Sequence, residues 1–337
     1  MAMHIVKADP KKAEKWAVDA VASGVIESQN SQMGFFQMKD AIGHPLVEIS
    51  NWGDIRLCAS FESLLMSLDH PYTKTLFSKN SNRIVNRENP DEILETGTRI
   101  CGIRSGVYVG AGQGYQENQY QAYSTFKYDV MAESPLYFIK WSEVDFLRAE
   151  GALRGWNMGG TAQFFYERGI KNADLVEPTI AQFFDEYYDA YVDDYMQLSK
   201  AIDYVSEDPI GDGEPWPSVT KIGVKWDDND SKETMLEKII TQKYIALFPL
   251  STEAWTELRR TGYPKVFDVQ NPDDGDGSLF LGDIIRRIPW VPTDIAGQQM
   301  VANSGIQALG GPDEQATRLW WDVEGSNFPL TGNLLNF

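Results

Sequence analysis

Apolar positions recur at helical spacing through much of the second half of the chain and far less regularly in the first. Over residues 225–264, KWDDNDSKETMLEKIITQKYIALFPLSTEAWTELRRTGYP, Leu236, Ile239, Ile240, Tyr244 and Leu247 recur until Pro249 stops the run. Asp230 is the predicted N-cap, with Glu233 completing a capping box. Ser251 then caps a short helix that buries Trp255 and Leu258 and ends at Arg259-Arg260. Upstream, residues 137–155 predict a helix apolar nearly all round, in which Ala149, Gly151 and Ala152 let a neighbouring helix approach. Residues 157–160 form a turn, and Thr161 caps a helix with Ala162, Phe165, Tyr166, Gly169 and Ile170 on one face. This pair has the shape of a tetratricopeptide-like hairpin, although no strict repeat period is visible. Residues 179–204 predict another helix, with a seam of Phe184, Tyr188, Tyr191, Tyr195 and Leu198 and with Asp185, Asp189 and Asp193 in solvent.

Residues 2–24 read as two helices separated at Asp9-Pro10, the first ending at Lys7 and the second presenting Ala13, Trp16, Ala17, Ala20 and Val21. The chain begins inside the first helix, so earlier partners of this repeat are expected to be missing. Residues 56–68 predict a helix presenting Phe61, Leu64, Leu65 and Leu68. Residues 28–53, 78–92 and 99–128 read as polar or Gly-rich loops, the last with a short strand at 107–109. A linker, SEDPIGDGEPWPS, precedes the 225–264 corner; the tail, 286–337, has little helical period. The expected class is mainly α, a tetratricopeptide-like α-α superhelix with a loop-rich ligand-binding part. It forms a single domain: a helix pair over 1–27, a binding part over 28–136, a helical scaffold over 137–264 and an irregular segment over 265–337.

Charge narrows the function. Thirty basic residues against 49 acidic ones give a net charge of −19, with no basic stripe to reverse the field locally. Nucleic acid and anionic lipid surfaces are therefore disfavoured as partners. Cys58 and Cys101 are compatible with one disulfide or two thiols, and no CxxC pair suggests zinc or redox chemistry. No apolar run is long enough to span a bilayer, and no signal-type apolar segment follows Met1.

Catalytic motifs are absent: there is no GxSxG elbow, and His4, His44 and His70 show no shared-ligand spacing. The Gly110–Gly114 run lacks the GxGxxG pattern and a following helix. In the DDGDG loop, Asp274, Asp276 and Gly277 match positions of a calcium loop and Asp283 falls at its last position, but Pro272 stands where the first ligand belongs. No metal site, cofactor or catalytic residue is therefore assigned. Glu143 and Glu150 lie in a buried-looking helix, where pairing with Arg148 or Arg154 is expected rather than catalysis. Arg259 and Arg260, at a helix end, are expected to offset the helix dipole and form ion pairs.

Loop aromatics are the positive signal. Tyr108, Tyr115, Tyr120 and Tyr123 lie in or beside the 107–123 loop with Asn118 and several Gln residues. Flat aromatic faces stack on the C–H surfaces of sugars while amides satisfy hydroxyls, so this mixture suits glycan capture. Trp52 and Trp216, in Gly- or Pro-flanked polar stretches, join the same candidate set. Trp141, Trp255, Trp320 and Trp321 are expected in the core.

Three blocks in consistent order resemble the SusD/RagB family: YFIKWSEVDFLRAEGALRGW with TAQFFYERGI, KIITQKYIALFPLSTEAWTELRRTGYP, and RRIPWVPTDIAGQQMVANSGIQALGGPDEQATRLWWD. The opening MAMHIVKADPKKAEKWAVDAVASGVI is similar to a helix pair of that family. The resemblance implies a Bacteroidetes outer-membrane lipoprotein, facing the cell surface, that serves polysaccharide utilisation and nutrient uptake. It would capture glycans without catalysis and deliver them to a SusC-type TonB-dependent transporter. Family members are longer and carry a lipid-modified cysteine near the start, so the anchor is expected outside this chain. The matching blocks are scaffold motifs, and no ligand residue transfers from them. Peptide capture as in RagB, a helical-repeat scaffold for proteins, and a glycoside hydrolase with two opposed carboxylates stand as alternatives.

Overall fold

The computed structural model describes residues 1–28, 43–50, 55–79, 84–85, 93–95, 99–106, 123–173, 188–207, 215–270, 276–279, 282–291, 296–322 and 336–337. The helices are α1 (Pro10–Ser23), α2 (Pro45–Ser50), α3 (Ala59–Ser67), α4 (Tyr72–Thr75), α5 (Tyr128–Glu133), α6 (Trp141–Leu153), α7 (Ala162–Lys171), α8 (Tyr188–Met196), α9 (Lys232–Ala246), α10 (Ser251–Thr261) and α11 (Gln299–Leu309). Strands β1 (Ile84–Val85) and β2 (Ile93–Glu95) form one small antiparallel ribbon, and β3 (Val205–Ser206) and β4 (Trp216–Pro217) another. The fold is mainly α, as the periodicity predicts.

The core is the α6–α7 hairpin and α9 behind it. Gly151 and Gly155 shape the hairpin's first half. A Cβ on Gly151 would lie 2.6 Å from Met158 Sδ, and Gly155 ends the helix with φ +89°. Arg148 then donates to the Met158 carbonyl from Nε and Nη2 (3.0 and 2.8 Å), locking the turn, and Thr161 caps α7 by accepting from Phe164 N–H. On α7, Gly169 lets the Phe146 ring lie directly against the backbone, 2.9 Å from where a Cβ would stand. Close helix approach thus depends on Gly169 as well as on the small residues of α6.

Helix α9 is buried on nearly every side, from Met235 to Ala246. Its cap sits one residue later than the pattern suggests: Ser231 accepts from Thr234 N–H (3.1 Å). Asp230 instead takes the Lys238 ammonium at 2.6 Å, and Glu233 accepts from Tyr263 and Asn336. A serine hydroxyl can cap while both carboxylates serve partners from elsewhere. Ser251 is the first residue of α10 rather than its cap; Leu250 occupies that position without a side-chain bond. Lys140, wholly buried, donates to the carbonyls of Ala246 and Phe248 (2.8 and 2.7 Å) and closes the C-terminal end of α9.

Arg260 joins these helices. It donates to both Glu150 oxygens (2.8 and 2.6 Å) and to Glu257, while Glu150 also takes Arg154 and Glu257 also takes Lys243. Burial pushes both carboxyls up, but the surrounding cations outweigh it and hold Glu150 and Glu257 below their ordinary range. The ion pairs expected of Glu150 and Arg260 are therefore present, as a network, whereas Arg259 stacks on Trp255 and Trp321.

Other expectations need correction. Residues 3–5 form one turn of 3-10 helix before Asp9 caps α1, and of the predicted α1 face Ala13 and Ala17 are buried while Trp16 and Ala20 are exposed. Helix α8 ends at Met196, short of the predicted 204, and the two-residue strand β3 follows only at Val205. The tail contains α11, whose Gly305 leaves room for the Trp290 indole. Trp320 is 74% and Trp255 37% exposed, because each sits on an outer turn or helix face. Cys58 and Cys101 form no disulfide with each other: the Cys58 sulfur lies against Ser105 Oγ (3.5 Å) and the Cys101 thiol donates to the Glu207 carbonyl (3.4 Å). His70, fully buried, accepts from Tyr72 N–H at Nδ1, and burial lowers its pKa to about 3. Asp276 accepts from Ser278 and Gln315 N–H and Asp283 pairs with Arg286, so both calcium-loop positions are engaged by protein donors.

The closing sequence block is held by its own charges. Arg286 bridges Asp283 and Asp322 at 3.2 Å each, Arg318 reaches Asp322 at 3.1 Å, and Arg287 takes Asp313 at 2.6 Å. The Arg-Arg-Ile-Pro run and the Trp-Trp-Asp end are thereby tied together.

Candidate functional site

The 107–122 loop that carries Tyr108, Tyr115, Asn118 and Tyr120 lies outside the described residues, as does Trp52. Its two roots are described, and they are bonded to each other. Ser124 N–H donates to the Cys101 carbonyl (2.8 Å), and Cys101 N–H donates to Ser124 Oγ (2.9 Å). Residues 57–59, at the start of α3, pair with both: Leu57 N–H reaches Ser124 O, Ile103 N–H reaches Leu57 O, and Ala59 N–H reaches Ile103 O. Gly102 sits where a Cβ would collide with the Cys58–Ala59 backbone at 2.6 Å, so only glycine fits. Tyr123, predicted as a ligand residue, is 3% exposed and packs beside Cys101 and Ile103. Its ring belongs to the root of the loop and offers no face to a ligand.

Trp216 stands beside this root. Ribbon β3–β4 pairs Ser206 with Trp216, and Ser67 Oγ bonds Ser218 Oγ (2.7 Å) to fix the ribbon on α3. Arg104, two residues before the loop leaves at Gly106, lies 4.4 Å over the Trp216 ring and 5.3 Å from the Phe267 centroid. It also donates to the Asp268 carbonyl (3.2 Å), and Gln270 N–H donates to Ser105 O (3.0 Å). Phe267 N–H is held by Ser60 Oγ (3.0 Å), and the two rings, Trp216 and Phe267, are 6.2 Å apart. The indole remains partly exposed.

Phe267 is also a wall of a cleft of about 200 Å³ lined by Ser60, Ser105, Trp255, Asp268 and Asp283 among others. Arg259 stacks on Trp255 at 4.5 Å. Hydroxyls, carboxylates and aromatic edges converge there, a composition suited to a polyhydroxylated ligand. A larger cavity of about 320 Å³ between α2, α3, α9 and α10 is walled by Phe61, Phe77, Phe126 and Phe248 and is the more apolar of the two in proportion to its surface.

Glu62, 1% exposed, ties the loop root to the β3 side by accepting from Gly102 N–H (2.8 Å) and the Tyr204 hydroxyl. Burial raises its pKa to about 7, against the pull of those two bonds. Glu143, Asp145 and Glu237 are also pushed up by burial, and none of these four carboxylates lines the cleft. The described residues therefore hold no raised-pKa acid poised across it.

Of the predicted site residues, the structure brings Trp216 to the loop root and removes Tyr123 into the core. Arg104, Phe267, Asp268 and Trp255 were not predicted. Phe267 follows a GYPKV turn and carries no periodic signal, and Trp255 has the helical spacing of a core residue.

The description "Susd and RagB outer membrane lipoprotein" belongs to the family model that matches residues 1–322. A chitin-binding SusD homolog from Flavobacterium johnsoniae is 34% identical, with TM-score 0.77, over 97% of this chain and 62% of its own. SusD homologs from Bacteroides vulgatus (30% identity, TM-score 0.79, 97% and 61%) and Bacteroides thetaiotaomicron (30%, 0.77, 96% and 63%) are similar over the same extent. This chain thus spans less than two thirds of their length. No curated protein matches.

Proposed function

Because the chain belongs to the family of SusD and RagB outer membrane lipoproteins, we propose that it takes part in capturing glycans for uptake, without catalysis. The observation that carries this reading is Trp216, held by Arg104 and Phe267 at the root of a loop rich in tyrosine and amide side chains. A saccharide would lie on that aromatic surface and against the Ser60, Ser105 and Asp268 groups of the adjoining cleft. Tyr108, Tyr115, Asn118 and Tyr120, carried by the loop that leaves from this root, would add stacking faces and an amide. The protein would work at the cell surface as a lipid-anchored protein and hand its ligand to a SusC-type TonB-dependent transporter. Among the described residues no helix is long and apolar enough to cross a membrane.

Chito-oligosaccharides are the first probes, because the Flavobacterium relative is described as chitin-binding. Calorimetric titration with these and with other oligosaccharides should show saturable binding that Trp216→Ala weakens at least tenfold. Hydrolysis of a bound oligosaccharide would overturn the non-catalytic reading. Binding of peptides with no saccharide affinity would replace it with peptide capture.

A further inference from the structure

A third, smaller cavity lies where residues 3–7 meet α10 and residues 321–322. It measures about 20 Å³ and is lined by Met3, His4, Lys7, Arg154, Arg259, Arg260, Trp321, Asp322 and Asn336 among others. That space holds one water-sized particle. The Lys7 ammonium nitrogen is shielded from solvent and has no hydrogen-bond partner among the described residues.

The charges around it do not balance locally. Arg154, Arg260 and Lys243 share two carboxylates, Glu150 and Glu257. Asp322 is shared by Arg286 and Arg318. Arg259 stacks on Trp255 and Trp321 and makes no carboxylate contact among the described residues. Asp322 and Glu233 act on Lys7 through space, and Asp322 on Arg259, but Asp322 is bonded by Arg286 and Arg318 and Glu233 accepts from Tyr263 and Asn336, so Lys7 and Arg259 face one cavity with no carboxylate bonded to either among the described residues. A buried ammonium with nothing to receive its protons is costly. Burial lowers the Lys7 pKa to about 8, so the group still carries its charge at neutral pH. His4 is held neutral, its pKa lowered to about 4 chiefly by burial, and supplies no countercharge.

We propose that this cavity binds a single monovalent inorganic anion of chloride size, held by Lys7 and Arg259. A water molecule could accept from the unpartnered Lys7 ammonium but could not compensate its charge or that of Arg259, whereas a halide does both, the Asp322 carboxylate in the lining being shared by Arg286 and Arg318. The bound anion joins three segments distant in sequence: residues 3–7, α10 and residues 321–322 with Asn336.

The test uses the 337-residue chain at constant ionic strength near pH 7, exchanging gluconate for chloride. Chloride should raise the melting temperature by about 3 °C with saturable dependence, and Lys7→Met should abolish the rise. Crystals soaked in bromide should show an anomalous peak in the cavity, which decides the matter alone if Lys7→Met fails to fold. A cavity holding only water in bromide, no saturable chloride effect, or an equal effect in Lys7→Met would each overturn the proposal.

Discussion

The helical scaffold and the Trp216 face are fastened by different means. In α6, α7, α9 and α10 the buried charges meet opposite charges: Asp145 with Arg168, Lys238 with Asp230, and Glu150 and Glu257 with Arg260. Around Trp216 the ties are single hydrogen bonds and the two cation–π contacts of Arg104. A network of buried ion pairs must be satisfied in full or it fails, so it fixes one arrangement of helices. Single contacts at a loop root permit side-chain change at small cost. The scaffold is where substitutions should cost stability, and the Trp216 face is where they should cost binding.

The largest effect should come from Glu150→Ala, which leaves Arg154 and Arg260 short of a buried partner and should cost about 3–5 kcal/mol in urea denaturation. Next, Gly169→Ala drives a methyl into the Phe146 ring and should cost about 1–3 kcal/mol by the same measurement. Trp216→Ala should reverse the pattern: stability changes by no more than about 1 kcal/mol, while saccharide affinity falls at least tenfold, about 1.4 kcal/mol. Equal losses of stability and binding in all three variants would erase the distinction between the regions.

Glu62 offers the smallest and most diagnostic effect. Its folded pKa is raised to about 7 from an ordinary value of 4.5. The folded state therefore holds a proton that the unfolded chain releases, and the group's contribution is full below about 4.5 and lost as pH rises through 7. Wild type should lose more thermal stability between pH 5 and pH 8 than Glu62→Gln does. An identical pH dependence in both would show that the loop root is not held by a protonated carboxyl.

Helix periodicity was legible wherever burial is one-sided or complete, as in α6, α7, α9 and α10. Caps were legible to within a residue, because Asp230, Ser231 and Glu233 compete for one set of N–H groups and only tertiary partners decide among them. The tail helix α11 was hidden by its interrupted sequence, Gly305 within it and Trp290 outside supplying the packing. At the candidate site, residue type pointed to Trp216 but could not exclude Tyr123, whose burial depends on Cys101 and Ile103 meeting it from across a loop. Arg104 and Phe267 were invisible for the same reason: their meaning lies in being 5.3 Å apart after a separation of more than 160 positions.

The mutual bonding of Cys101 and Ser124 gives the intervening segment a shared point of departure and return. Such a gate makes the segment a cartridge. Replacing its residues should therefore leave the melting temperature of the helices beneath nearly unchanged, provided Gly102 and the paired residues 101–103 and 124 stay. The tie between the two ends, rather than the residues between them, is then what the rest of the fold depends on.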